Sequence, residues 1–261
     1  MPDSNRQAAP TSPKDRFITV YGRKPVLEAL ADTGLDVDKV ILADTVRGPS
    51  ATAILDAAAW RGVRVQRASA HRVKVLAGNG KQDQGVAADV LAPRMRPLAA
   101  ALRDGRPPSS VLLLDGITTP ANVGMILRTA TAAGVCGIVL PRRGVAGIDP
   151  LVVKASAGVA FHAPVLRCGT AAEAAWSLAE RGYPLLGLVA GAPRSLFSAE
   201  LDETFGGPVA FVLGAETGGV SEAVGELVSD WVSIPMAGGV ESLNVASAAA
   251  VLCFELVRRR G

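Results

Sequence analysis

Aromatic side chains are scarce: three Trp, two Tyr and six Phe among 261 residues. A surface that reads single-stranded nucleic acid by stacking successive bases needs more rings than this, so a stacking platform is not expected. Histidine is rarer still, with only His71 and His162, and the three cysteines (Cys136, Cys168, Cys253) are scattered without a CxxC pair. That combination argues against a metal site or a disulfide framework and for a reduced, cytoplasmic protein. Long apolar runs are missing too. Stretches such as SVLLLDG and GPVAFVLG are strand-length, well short of the roughly 20 residues that span a bilayer, so no membrane partner is expected. Residues 1–16, MPDSNRQAAPTSPKDR, lack the apolar segment of a signal peptide and read as a disordered, solvated tail. Neither GxxxxGK[ST] nor GxGxxG occurs, which disfavours a nucleotide-dependent kinase or a dehydrogenase.

What is present is an ample supply of core. Hydrophobic residues make up 49% of the chain, enough for one large domain or two ordinary ones. Charge is unevenly placed. The first 110 residues carry 17 Lys/Arg against 11 Asp/Glu, and the remainder 10 against 13, so a basic front of +6 precedes an acidic rear of −3. Any polyanion is therefore expected at the front, although such a balance also suits an ordinary solvated surface.

Residues 17–92 read as a small α/β domain. A helix in VYGRKPVLEALADTG closes at Gly34, helices follow near Pro49–Gly62 and after Ser69, and DKVILAD, VRVQRA and QGVAADV read as strands. Residues 93–109, with Pro93, Pro97, Pro107 and Pro108, break both periodicities and read as a linker. From residue 110 to 261 the runs SSVLLLDG, CGIVLPR, YPLLGLVA, PVAFVLGAE and DWVSIPM suit buried parallel strands, with helices at 122–133, 170–181, 221–227 and after 242. The expected class is α/β, with a mainly parallel sheet covered on both faces and ligands beyond the carboxyl ends of its strands.

Three strand-end loops share a composition. PANVGMILRTATAAG places Asn122 where it would cap a helix, puts Gly124 in the first turn, and carries Arg128 six residues on, off the same helical face. VLGAETGG sets Glu216 among glycines that leave backbone groups free to meet a ligand. IPMAGGVESLNVASAAA supplies Ser242 and Asn244 as caps for the final helix, yet capping accounts for only one of its polar residues. Each loop has a plain reading as a turn. Together they suit one pocket better. Arg258, Arg259 and Arg260 complement the dipole of the last helix.

In this order the three stretches resemble the motifs of the SpoU (TrmH-type) branch of the SPOUT RNA methyltransferases, and VYGRKPVLEAL and QGVAADV resemble that family's small substrate-binding domain. The resemblance runs from about Val20 to the C-terminus and is strongest to bacterial enzymes that methylate a ribose in 23S rRNA. It implies a deep trefoil knot in the C-terminal domain, a homodimer with the active site near the subunit interface, and S-adenosylmethionine as cofactor. It also implies that Gly214, Ile234 and Leu243, with Met236 and Gly238, bind the cofactor, and that Arg128 is catalytic. Asn122 and Glu216 would order Arg128 and the cofactor loop, with Ser242 and Asn244 facing the reacting centre. Arginine's high pKa makes it a poor base, and positioning a phosphate or stabilising a developing alkoxide is physically easier; both roles stay open. Arg23, Lys24, Arg72, Lys74 and Lys81 form the expected RNA-facing surface.

Two departures stand out. Thr217 replaces a frequent glycine, and Asp83 stands where relatives often have histidine and would repel a phosphate. A tRNA ribose methyltransferase, an antibiotic-resistance rRNA methyltransferase and a non-catalytic RNA-binding assembly factor are the alternatives.

Overall fold

The computed structural model describes residues 15–78 and 82–260, so most of the expected tail, and Lys81, lie outside the described residues. The N-terminal unit runs β1 (Phe17–Tyr21), α1 (Arg23–Ala31), β2 (Val37–Ala43), α2 (Pro49–Trp60), β3 (Arg64–Ala68), α3 (Ala70–Ala77) and β4 (Val86–Leu91). Its sheet has the order β1-β4-β2-β3, with β4 antiparallel to both neighbours and β2 parallel to β3.

The second unit continues with β5 (Arg96–Pro97), α4 (Leu98–Arg103), β6 (Ser110–Leu114), α5 (Pro120–Ala132), β7 (Gly137–Pro141), α6 (Pro150–Ala155), β8 (Val165–Cys168) and α7 (Ala171–Ala179). It closes with β9 (Leu185–Leu188), β10 (Arg194–Ser195), α8 (Asp202–Gly206), β11 (Val209–Leu213), α9 (Glu222–Gly225), β12 (Asp230–Ser233) and α10 (Val245–Arg260). Its sheet order is β10-β12-β9-β11-β6-β7-β8-β5, and every pairing is parallel.

Period-two alternation explains how both faces of this sheet are buried. On β6, Leu112 and Leu114 enter the core cluster that holds residues of α5, α6 and α10, while Val111 and Leu113 enter the one that holds residues of α4, α7 and α9. On β11, Phe211 and Leu213 face the first cluster, Ala210 and Val212 the second. All five residues of each strand are buried, and the one polar side chain among them, Ser110, is satisfied by the Cys136 N–H at 3.1 Å.

The structure revises several sequence expectations. The 93–109 stretch is not a bare linker: β5 joins the edge of the large sheet, and α4 buries Leu98, Ala101 and Leu102. The prolines at its ends obscured one apolar helical turn in LAAALR. Asp15, expected within the solvated tail, is buried and paired with Arg142. Helix α6, which the periodicity did not reveal, is only six residues long, with Asp149 Oδ1 accepting the Val152 N–H at 2.9 Å as its cap. Gly124 is explained by this helix. A Cβ there would lie 2.5 Å from the Ala155 Cβ and 2.7 Å from the Val152 carbonyl oxygen, so the glycine admits the close approach of α6.

The terminal arginines do more than oppose a helix dipole. The Arg259 side chain is buried, donates from Nε to Glu255 Oε1 at 2.6 Å, bonds the carbonyls of Leu196 and Ser198, and stacks over Phe205 at 4.6 Å. Arg260 reaches the carbonyls of Phe205 and Gly207. Arg258 bonds both oxygens of Glu255 at 2.7 Å. This network ties the end of α10 to residues 196–207. Replacing Arg259 by alanine is expected to cost about 3 kcal/mol in urea unfolding, because the buried Glu255 loses a partner. The hydrogen bond from Arg258 is the main cause that holds the Glu255 carboxyl below its usual range, against the opposing effect of burial. A carboxylate depressed in the folded state stabilises above its unfolded pKa of about 4.3, and that contribution is lost as pH falls through the lower folded value. In urea unfolding followed across pH, the stability advantage of the wild type over a Glu255→Gln variant should therefore be greatest above about pH 4.3 and shrink as pH falls through the lower folded value.

Candidate active site

Three parallel strands end side by side at β12, β9 and β11, and the chain leaving each lines one cavity of about 380 Å³. Leu188, Val189 and Ala190 come from β9, Leu213 to Glu216 from β11, and Ile234 and Met236 from β12. Ser242, Leu243 and Asn244, at the entrance to α10, complete the wall. The volume falls within the roughly 300–1,000 Å³ of small-molecule sites. The lining is mostly aliphatic, with its polar atoms gathered on Glu216, Ser242 and Asn244.

Those polar atoms form a connected cluster. Asn122 Nδ2 donates to Glu216 Oε1 at 2.9 Å; Asn244 Nδ2 donates to the same oxygen at 2.8 Å and to Asn122 Oδ1 at 3.1 Å. The Asn244 Oδ1 accepts the Ala246 N–H at 2.9 Å, so Asn244 is the cap of α10. One residue from each of the three strand-end loops thus meets the other two. Sequence separations of 28, 94 and 122 residues are closed by bonds that leave Glu216 Oε1 doubly donated and Asn122 buried.

Asn122 is not a helix cap. Pro120 begins α5, Thr119 occupies the cap position without a side-chain bond, and Asn122 points inward from the first turn. Ser242 makes no capping bond; that role belongs to Asn244 alone, although both line the cavity. Of the expected cofactor residues, Gly214, Ile234, Met236 and Leu243 line the cavity, and Gly238 does not. Arg128 is exposed on α5, outside the cavity lining, with no ion pair or side-chain hydrogen bond among the described residues. Asn122 and Glu216 bond Asn244 rather than Arg128. The β9 segment Leu188–Ala190 is absent from the sequence-based set. Its signal was a fourth strand followed by a small-residue turn, Ala190-Gly191-Ala192-Pro193.

Gly214 has a steric task besides lining the cavity. A Cβ there would lie 2.1 Å from the Gly219 carbonyl carbon and 2.3 Å from the Val220 nitrogen. The glycine therefore lets residues 219–220 fold back against the end of β11. Ala215 and Gly219 then exchange hydrogen bonds of 2.8 and 2.9 Å, closing the turn that presents Glu216.

On the N-terminal unit, Arg23, Lys24, Arg72 and Lys74 are all exposed. Arg23 bonds Ser50 Oγ at 3.2 Å and Lys24 lies 3.8 Å from Glu28. Asp83 lines a surface depression with Arg23 and Arg47. It is buried, and its Oδ1 accepts the Gly85 N–H at 2.7 Å, closing the turn before β4. No group of His, Cys, Asp and Glu suited to a metal ion occurs among the described residues, and none of their helices is long and apolar enough to cross a membrane.

A parallel sheet with a small-molecule cavity at its carboxyl edge is joined to a small α/β domain carrying exposed basic residues. Comparison with known proteins fixes the class. Residues 109–254 match the model described as the SpoU rRNA Methylase family, and residues 19–96 match RNA 2′-O ribose methyltransferase substrate binding. The chain is 35% identical over 242 residues to the 23S rRNA (guanosine-2′-O-)-methyltransferase RlmB of Ralstonia nicotianae, covering 92% of this chain and 95% of that protein. It is 34% identical over 246 residues to a protein of Staphylococcus saprophyticus placed in the TrmH family of tRNA/rRNA methyltransferases, covering 93% and 96%. The crystal structure of the SpoU methyltransferase AviRb from Streptomyces viridochromogenes, in complex with AdoMet, is similar with a TM-score of 0.61 at 26% identity, covering 94% of this chain and 90% of that one. The chain belongs to the SpoU rRNA methylase family, the TrmH-type branch of the SPOUT RNA methyltransferases. It is an RNA 2′-O-ribose methyltransferase.

Proposed function

We propose that the chain transfers a methyl group from S-adenosylmethionine to a ribose 2′-hydroxyl of 23S rRNA, as a homodimer in the cytoplasm. The observation that carries this reading is the Asn122–Glu216–Asn244 cluster beside the cavity formed by the ends of β9, β11 and β12. The cavity suits the donor chemically. Leu188, Leu213, Ile234 and Leu243 offer aliphatic walls to an adenine, the backbone around Gly214 and Met236 offers hydrogen-bonding groups, and Glu216 offers negative charge toward a cation. The AdoMet-bound relative supports the same assignment. When bound, the donor supplies an activated methyl on a sulfonium.

The residues of this chain then have distinct tasks. The strand ends hold the donor and exclude water, so that an in-line hydroxyl meets it at the mouth. Asn122 and Asn244 fix the Glu216 carboxylate and thereby the 215–219 turn. Arg128, exposed and without an ion pair or side-chain hydrogen bond among the described residues, is free to meet an RNA phosphate or a developing alkoxide. It lies three residues beyond Met125 on α5, and both are exposed. Phe254 and Val257 are exposed apolar residues on α10, which packs on α5. An exposed apolar face on these two helices favours a dimer in which Arg128 serves the partner's cavity. The insertion of β11 between β6 and β9, with α10 returning to α5, fits the trefoil knot expected of the family. Relatives named as 23S rRNA (guanosine-2′-O-)-methyltransferases favour 23S rRNA as substrate. The tRNA/rRNA relative keeps a tRNA reading as second.

Calorimetric titration with S-adenosylmethionine tests the donor assignment. One site per chain with measurable heat is expected. Absence of binding by the folded protein would favour a non-catalytic RNA-binding factor instead.

A further inference from the structure

Two nitrogens of Arg167, Nε and Nη1, are buried without a hydrogen-bond partner. A guanidinium keeps its charge and presents five N–H donors, so two buried nitrogens without partners carry a penalty that a native site usually offsets with an ion, a water or a ligand. Arg167 lies on β8, and its surroundings are rich in positive charge. Burial is the main influence lowering its affinity for its proton, followed by the field of Arg142, with Cys168 and Asp15 acting weakly in the other direction. The Cys168 thiol is itself pushed up to about 11, chiefly by burial, and so stays neutral.

The neighbouring strand adds two more arginines. Beyond β7, the Arg142 N–H donates to the Cys168 carbonyl at 3.0 Å and the Arg143 N–H to the Gly169 carbonyl at 3.2 Å, so the two arginines lie against the carboxyl end of β8. The Arg142 side chain pairs with the buried Asp15 and that of Arg143 lies 3.7 Å from Glu173; both arginines are exposed. Three arginines against two carboxylates leave one net positive charge at a partly open place. β8 is three strands from β11 in the sheet, about 14 Å at the usual strand spacing, and on the same carboxyl edge as the cavity. An RNA strand laid along that edge reaches both.

Resting on the methyltransferase reading, we propose that Arg167, flanked by Arg142 and Arg143, holds a backbone phosphodiester of the RNA substrate at the carboxyl ends of β7 and β8. Arg167 supplies the directed donors and its neighbours the field. This is a positioning contact outside the donor cavity and separate from the basic surface of the N-terminal unit.

The test is the salt dependence of RNA binding by the full chain, using a transcribed 23S rRNA fragment over a series of KCl concentrations. Each phosphate contact contributes about 0.7–0.9 to the slope of log affinity against log salt. Arg167→Met, which keeps an apolar stem, should flatten the slope by about that amount while its calorimetric titration with S-adenosylmethionine is unchanged. Arg143→Gln, at an exposed position, should flatten it less and keeps the test open if Arg167→Met is unstable. An unchanged slope in both variants, with wild-type binding intact, overturns the contact. Inorganic phosphate that raises the wild-type Tm but not that of Arg167→Met, with no change in RNA slope, would assign the site to a free anion and overturn the RNA contact as well. Absence of any salt-dependent RNA binding by the wild type would instead overturn the underlying methyltransferase reading.

Discussion

Replacing Arg128 by alanine is expected to lower methyl transfer by about two to three orders of magnitude, the usual cost of removing a group that stabilises developing charge. Affinity for S-adenosylmethionine should be unchanged, because Arg128 lies outside the cavity lining and bonds none of its residues among those described. Asn122 and Arg128 share α5 but diverge on it: Asn122 is buried against Glu216 and Asn244, while Arg128 is exposed beside Met125. If Arg128 serves the partner's cavity, two inactive variants can restore each other. Mixing Arg128→Ala with a variant lacking the cofactor site gives heterodimers with one complete site, so about a quarter of wild-type activity should return at equal ratio. An arginine acting within its own subunit gives no recovery, and loss of cofactor binding in folded Arg128→Ala would refute the division of labour.

Gly214→Ala is the second large effect, and it is purely steric. The added methyl would meet the backbone at Gly219 and Val220, which cannot rotate away as a flexible side chain would. Residues 215–219 must move, taking Glu216 from the two asparagines and opening the wall between Leu213 and Ala215. Overpacking of this kind costs about 1–3 kcal/mol in stability, so the domain should still fold. Affinity for S-adenosylmethionine should fall at least about 100-fold, equivalent to about 2.8 kcal/mol. Retained affinity would show that the turn adapts and that Gly214 is dispensable. This variant is also the complementing partner for Arg128→Ala.

The large sheet was legible because its strands are short apolar runs with alternating destinations, as Leu112 and Leu113 illustrate. Helices α4 and α6 were not, since six residues give too little periodicity to compete with flanking prolines. At the site, the sequence indicated that three glycine-bearing loops share a pocket, but not which atoms meet. Asn122 has the composition of a cap and the geometry of a cluster member, a distinction set by residues 94 and 122 positions away. Gly124 marks a close approach to the backbone, and Gly214 lines the cavity while also admitting residues 219–220; local sequence holds no record of which distant segment makes such an approach. Ala190 and its neighbours escaped notice because no polar residue marks them.

The most direct measurement is transfer of labelled methyl from S-adenosylmethionine to undermodified total RNA, followed by separation of 23S, 16S and tRNA fractions and digestion to nucleosides. The account predicts label in 23S RNA, recovered as a 2′-O-methylribose nucleoside and absent with Arg128→Ala. Label on a nucleobase, or in tRNA alone, would contradict it.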